Sequence, residues 1–131
     1  MSTSASTPPA DRLYSATHQW ARDLTNAQVE IGITAHAQDA LGDIVFVDLP
    51  KLGAKLIAGE SFMVIESVKT ASDVHAPVSG TVFEVNESLR EQPESLNGDP
   101  YGQWLVRVAA DSEARAGLLQ WTDYADSVAG G

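Results

Sequence analysis

The chain has 131 residues, near the commonest size of a single domain, and 44% of them are hydrophobic, the composition of a globular protein. Eighteen acidic against eight basic residues give a formal charge of −10 with no Lys/Arg cluster, which argues against nucleic acid or an anionic membrane as partner. Cysteine is absent, excluding disulfide staples, thiolate metal sites and a cysteine nucleophile, and no apolar run is long enough to cross a bilayer, so a soluble protein is expected.

Residues 1–11 are rich in Ser, Thr, Pro and Ala and are expected to form a disordered lead-in. They carry neither the apolar core of a secretory signal nor the arginines of a mitochondrial presequence, so a cytoplasmic protein of bacterial type is expected. A single domain over 12–128 and a frayed tail at 129–131 complete the expected organisation. From Tyr14 to Thr34 the chain reads as strands. Val29, Ile31 and Ile33 alternate with Glu30, Gly32 and Thr34, a period of two that puts one face on a core. Thr25-Asn26 suits the turn between this strand and one around His18 to Asp23. Ala35 to Leu41 is a short helix, with Thr34 available as N-cap and Gly42 just past its end.

Ile44 to Leu49 is an apolar strand, stopped by Pro50 and a turn at Lys51-Leu52-Gly53. Lys55 to Ile57 adds a short strand and Ala58-Gly59-Glu60 a turn. Next, Phe62, Met63, Val64 and Ile65 make a run too short to span a membrane and suited to a buried strand. Val74, His75 and Ala76 run into Pro77 and Gly80, a second strand entering a turn. Between the two lies Glu66-Ser67-Val68-Lys69-Thr70-Ala71-Ser72-Asp73, short and mostly polar. Two strands so joined form a β-hairpin, whose tip projects into solvent. Lys69 is therefore presented rather than hidden. It is one of three lysines in the chain; Lys51 and Lys55 belong to a different turn.

Thr81 to Val85 is a further strand. Asn86 to Gln92 reads as one or two helical turns, capped by Asn86 and ended by Pro93, and Glu94 to Gly102 as loop. Trp104 to Val108 is the last strand, with Trp104, Val106 and Val108 on one side and Arg107 on the other. From Asp111 the spacing of Ala114, Leu118 and Leu119 indicates a helix that Asp111 caps, and a second short helix spans Thr122 to Val128. Trp20, Trp104 and Trp121 read as core or rim aromatics. Many short strands at close spacing predict a mainly β sandwich with peripheral helices, the C-terminal ones included. Three scattered histidines form no metal-ligand spacing, so no metal site is expected, and no glycine-rich phosphate loop or nucleophile elbow is present.

As a catalyst in its own right Lys69 is a poor candidate. A free lysine amine titrates at about 10.4 and is nearly all protonated at neutral pH, hence not nucleophilic. An exposed position between Glu66 and Asp73 offers neither the burial nor the neighbouring cation that would change this. On an arbitrary hairpin such a lysine is a solvated charge; as an attachment point, a long flexible stem on a rigid turn suits a group that must swing.

The run Glu66-Ser67-Val68-Lys69-Thr70-Ala71-Ser72-Asp73, followed by Pro77-Val78-Ser79-Gly80, resembles the lipoyl-lysine hairpin of the glycine cleavage system H protein family. The similarity continues in Gly32-Ile33-Thr34 with His36-Ala37-Gln38, in the stretch from Leu41-Gly42-Asp43 through Val47-Asp48-Leu49-Pro50, and in Pro100-Tyr101. It spans roughly Tyr14 to Val128. The resemblance implies a barrel-sandwich hybrid of two sheets, with lipoic acid in amide linkage to Lys69. Glu66, Ser67 and Asp73 would form the surroundings that a lipoylating enzyme recognises. A non-catalytic carrier is also implied. Its arm would take an aminomethyl group from a pyridoxal-phosphate-dependent glycine decarboxylase, deliver it to an aminomethyltransferase, and be reoxidised by dihydrolipoyl dehydrogenase. The loaded arm would fold back onto the surface, where Asp73, Thr17, His18, Gln19 and His36 are candidate contacts. His36 serves equally as a helix-surface or packing residue, a solvated hairpin charge is the alternative reading of Glu66 and Asp73, and His75 reads as structural.

Two positions depart from the family pattern. Gln19 stands where the family commonly has the glutamate of His-Glu-Trp, and an amide accepts a hydrogen bond without carrying charge, so shelter for a cationic cargo is expected to be weaker there. Pro100-Tyr101-Gly102-Gln103-Trp104 is one residue shorter than the usual spacing from Pro-Tyr to Trp. These departures keep open a lipoate relay that hands the cofactor to other proteins. A biotinyl domain shares the implied fold but usually has Met on both sides of the lysine, where this chain has Val68 and Thr70. Lipoyl domains of 2-oxoacid dehydrogenases are shorter and differ around the lysine. Outside the carriers, an unmodified β-sandwich binding module remains.

Overall fold

The computed structural model describes residues 9, 11–24, 27–110, 118–120 and 123–124. Among them the elements run β1 (Leu13–Tyr14), β2 (Gln19–Asp23), β3 (Gln28–Ile33), α1 (Ala35–Leu41), β4 (Ile44–Asp48), β5 (Lys55–Leu56), β6 (Ser61–Ser67), β7 (Ala71–His75), β8 (Gly80–Val85), α2 (Ser88–Glu91), α3 (Ser95–Gly98) and β9 (Val106–Ala109). Six strands form one antiparallel sheet in the order β1-β2-β3-β9-β8-β5, and three form a second, β4-β6-β7. The expected mainly β sandwich of two sheets, a barrel-sandwich arrangement, is what the chain forms. No helix among the described residues is long and apolar enough to cross a membrane.

One core joins the sheets. Val29, Ile31, Ile33, Val82, Val106 and Val108 come from the larger sheet and Val47, Ile65 and Val74 from the smaller, all buried in a single cluster. Burying one such side chain stabilises by about 1.5–3 kcal/mol, so this layer carries most of the fold, with Leu41, Leu89 and Leu96 of the short helices packed into the same cluster. A second cluster packs Tyr14, Trp20 and Tyr124. There the Tyr14 and Tyr124 rings stack with centroids 4.8 Å apart, and the indole N–H of Trp20 donates to the Pro100 carbonyl at 3.0 Å. Trp20 lies directly against Gly32, where a Cβ would collide with the indole.

β3 alternates as expected, yet its second face is not solvated. Glu30 is only 4% exposed. Its carboxylate is held across the sheet by Arg22 at 2.8 Å and Arg107 at 2.8 Å, residues paired with it on β2 and β9, and Arg107 also reaches Glu84 at 2.9 Å. A buried charge persists only when paired in this way.

Other expectations are corrected. Glu94 to Gly102 is not all loop, since α3 forms over Ser95–Gly98. Asn86 does not cap α2 with its side chain: the cap residue is Glu87, and Asn86 Nδ2 instead donates to the Trp104 carbonyl at 2.8 Å. Trp104 lies outside β9, and Arg107 stacks over its ring at 4.0 Å, so the two are not on opposite sides. Leu119 is not on a helix. Its backbone bridges Tyr14, with N–H to carbonyl distances of 2.6 and 2.8 Å, because β1 is a sheet edge with unpaired groups. Leu118, beside it, is not helical either. Asp123 and Tyr124 are helical. The rest of the expected 122–128 helix, Thr25-Asn26, Asp111, Ala114, Trp121 and the 129–131 tail lie outside the described residues. Of the expected lead-in, Pro9 and Asp11 are described: the Tyr14 hydroxyl donates to the Pro9 carbonyl at 2.5 Å, and Asp11 pairs with Arg12 at 2.7 Å.

Candidate functional site

The hairpin that presents Lys69 is tighter than its sequence suggests. Pairing of Ile65 with Ser72 and Glu66 with Ala71 carries the strands outward, so Glu66, Ser67 and Asp73 are strand residues and only Val68-Lys69-Thr70 remain as the connection. Ser67 closes this turn. Its N–H donates to the Thr70 carbonyl at 2.7 Å, while its Oγ accepts the N–H groups of Lys69 at 3.3 Å and Thr70 at 3.2 Å. Hydroxyl-to-backbone bonds of this kind stabilise tight turns. The three tip residues are exposed, Lys69 among them, whereas Ser67 is buried.

The tip rests on a platform. The Val68 N–H donates to the Asp43 carbonyl at 3.0 Å, which docks the tip on the loop between α1 and β4. That loop is clamped by Asn97 of α3: its Oδ1 accepts the Ile44 N–H at 2.9 Å and its Nδ2 donates to the Gly42 carbonyl at 2.8 Å. α1 itself is set by Thr34, whose Oγ1 accepts the Ala37 N–H at 3.3 Å, and by Tyr101, whose hydroxyl accepts the Ala35 N–H at 3.1 Å. The 100–104 segment thus holds, through Tyr101, the start of the helix that carries His36.

Beside the tip lies a cavity of about 270 Å³. Thr17, His18, Gln19, His36 and Asp73 all line it, together with apolar Ile33, Leu41, Ile65 and Val74. Glu66 and Ser67 do not. Five residues singled out on three separate segments are therefore brought to one place. Asp73 is the one carboxylate among the lining residues. Gln19 is buried, and its amide is engaged: Oε1 accepts the hydroxyls of Ser15 at 2.8 Å and Thr17 at 2.5 Å, and Nε2 donates to the Thr17 carbonyl at 2.8 Å.

His18 sits at φ 74° with its ring centroid 4.1 Å from that of His36. Its Nδ1 lies 2.7 Å from the Tyr124 hydroxyl, which is 2.8 Å from Thr34 Oγ1. Burial, reinforced by the neighbouring His36, holds the His18 imidazole below its ordinary pKa. Burial pushes the Tyr124 phenol up to about 12, with the Thr34 hydrogen bond opposing it. Asn97 and Tyr124 escaped the sequence reading, because their contacts are made 55 and 106 residues away and leave no local pattern.

Comparison with known proteins agrees with this architecture. The family model described as glycine cleavage H-protein matches residues 12–130. A glycine cleavage system H protein of Rubrobacter xylanophilus is 52% identical over 118 residues, covering 89% of this chain and 91% of that protein. The H protein of Alteromonas mediterranea is 48% identical over 122 residues, covering 92% of this chain and 95% of its own length. The crystal structure of a glycine cleavage system H protein from Mycobacterium marinum superimposes with a TM-score of 0.86 at 41% identity, over 93% of this chain and 99% of that one. This chain belongs to the glycine cleavage H-protein family.

Proposed function

We propose that the chain is the lipoyl carrier of a glycine cleavage system, with lipoic acid joined by an amide to Nζ of Lys69. In this reading residues 12–128 are the carrier domain, and it works in the cytoplasm without catalysing a reaction of its own. It carries an aminomethyl group from the pyridoxal-phosphate-dependent glycine decarboxylase to the aminomethyltransferase, and electrons to dihydrolipoyl dehydrogenase. The observation that carries the reading is an exposed lysine on a braced three-residue tip, directly beside a cavity lined by both apolar and polar groups. Such a lining fits an aliphatic arm with a polar end. When bound, lipoate supplies the redox-active sulfur that a chain without cysteine lacks.

The residues of the chain divide the work. Ser67 and the Asp43 carbonyl hold the tip still, so that a lipoylating enzyme meets one geometry, with Glu66 and Asp73 as charges to recognise on either side. The Lys69 stem supplies reach, and tethering turns encounters with each partner into near-intramolecular ones. Asp73 accepts hydrogen bonds from the cationic cargo, and charge-assisted bonds are the stronger kind. Thr17, His18, Gln19 and His36 wall the cavity from the other side.

A lipoate relay is the second reading. It draws on Gln19, whose oxygen is already filled by two hydroxyls, which leaves Asp73 as the cavity's one anion. Intact mass and peptide mapping of protein from its native host, grown with lipoate, test both: one lipoyl adduct on Lys69 is expected, and bare Lys69 would end either reading. Lys69→Arg then keeps charge and fold but abolishes glycine cleavage in a reconstituted system; full activity of that variant would rule out the tethered arm. Transfer of the adduct to acceptor proteins without support of glycine cleavage would favour the relay.

A further inference from the structure

We propose that a buried hydrogen-bond relay from Thr34 through Tyr124 to His18 holds His18 as the uncharged tautomer with its proton on Nε2, and that Tyr124 is thereby a positioning residue for the loaded arm. The functional half rests on the carrier reading above; the proton order stands on geometry alone.

Thr34 is completely buried and caps α1, its Oγ1 accepting the Ala37 N–H. Its hydroxyl proton needs an acceptor, and Tyr124 Oη at 2.8 Å is the partner that the described residues supply. Tyr124 is 1% exposed and firmly placed: its ring stacks on Tyr14, whose backbone is in turn bridged to Leu119. Having accepted from Thr34, the phenol directs its own proton to His18 Nδ1 at 2.7 Å. A ring nitrogen that accepts is unprotonated, so the neutral imidazole carries its hydrogen on Nε2. The opposite order would leave the Thr34 hydroxyl proton buried without an acceptor. No buried side-chain polar atom among the described residues is left without a partner.

This matters for a cationic cargo. The charged or titratable groups around His18 among the described residues are His36 of α1, its ring tilted against it, Tyr124, and Asp73 of β7, which lines the same cavity. A protonated His18 would set a like charge beside the cargo and compete with it for Asp73. Held uncharged, His18 removes that repulsion and offers an N–H donor to an acceptor atom of the arm. Burial and the neighbouring His36 push it the same way.

Long-range proton–nitrogen NMR on the unmodified full chain reads the tautomer without any arm. Near neutral pH, Nδ1 is expected unprotonated and Nε2 protonated; a His18 Nδ1–H overturns the relay, whether or not any variant folds. In Tyr124→Phe the donor is lost, so the His18 titration midpoint moves upward and its proton redistributes between the two nitrogens. Unchanged His18 signals in that variant also overturn the relay. On lipoylated, aminomethyl-loaded protein, Tyr124→Phe is expected to hasten loss of the cargo several-fold at about pH 6 and less at about pH 8, on either side of an ordinary histidine pKa. Equal decay to wild type at both values overturns the positioning role and leaves the carrier reading intact, whereas a bare Lys69 in native protein overturns the carrier reading and leaves the proton order standing.

Discussion

The stem of Lys69 passes over Gly42: Lys69 Cε lies 3.3 Å from the point a Cβ on residue 42 would occupy. Gly42 itself has φ 78° and ψ −148°, a region open almost only to glycine. Alanine here would meet both backbone strain and the lysine stem. Gly42→Ala is therefore expected to lower the unfolding free energy by about 1–3 kcal/mol in denaturant titration. It is also expected to slow attachment of lipoate at Lys69, followed by mass. Lost stability with an unchanged rate of modification would mean that the tip does not depend on this contact.

Asn97 holds the same platform from below, satisfying the Ile44 N–H and the Gly42 carbonyl with one amide. Asn97→Ala removes both partners at once, and half-buried backbone groups left unpaired cost about 1–3 kcal/mol. The expected signature is local: the Val68 amide, bonded to the Asp43 carbonyl, loses protection in hydrogen exchange before the β3 amides do. Equal protection at Val68 in the variant and the wild type would show that the tip is braced some other way.

How far such a site can be read from sequence depends on whether its causes are local. α1, with Thr34 as its N-cap and Gly42 after it, is set by residues within a few positions, and its bounds were legible. The hairpin is legible too, although alternation alone does not say where pairing stops, so Glu66, Ser67 and Asp73 look like connection in the sequence and are strand in the fold. α3 was hidden because Gly98 ends it and Pro93 and Pro100 flank it, residues that signal a loop. Leu119 shows the opposite failure: helical spacing was present, and an edge strand needing partners overrode it. Thr17, His18, Gln19, His36 and Asp73 could be named from family resemblance, but that Gln19 spends its oxygen on Ser15 and Thr17, and that Tyr124 meets His18, are facts of tertiary packing.

The state of Gln19 makes substitutions at positions 73 and 19 separable. Asp73→Asn removes the one charge lining the cavity and is expected to hasten loss of a bound aminomethyl group about threefold to tenfold, the range for converting a charge-assisted bond at an exposed site to a neutral one. Gln19→Glu adds a charge and is expected to slow that loss. It also replaces the Nε2 donor with an oxygen facing the Thr17 carbonyl, at a cost to unfolding free energy of about 1–3 kcal/mol. Decay of the loaded protein measures the first effect and urea titration the second. Slower unloading absent from Gln19→Glu would argue that position 19 does not touch the cargo.

Stability should fall away on both sides of neutrality, for opposite reasons. Burial and then His36 lower the His18 pKa below the 6.5 it has when unfolded, so in the interval between the two values the unfolded chain binds more protons. Stability rises with pH wherever that holds. The contribution of His18 is accordingly full above about 6.5 and is lost as pH falls from there through the folded value. Tyr124 works in the other direction. Burial raises its pKa from 10.0 to about 12, the folded state keeps its proton longer, and its contribution is full below about 10 and lost as pH rises toward 12. Tyr14, raised chiefly by burial as well, adds to the same alkaline arm. Urea midpoints measured across pH should therefore decline below about 6.5 and above about 10. His18→Gln should flatten the upper part of the acid arm, and Tyr124→Phe should remove part of the alkaline one. Acid arms that run parallel in wild type and His18→Gln between about pH 5 and 7 would show that His18 titrates alike in the folded and unfolded chain, and that its buried setting exerts no hold on its proton.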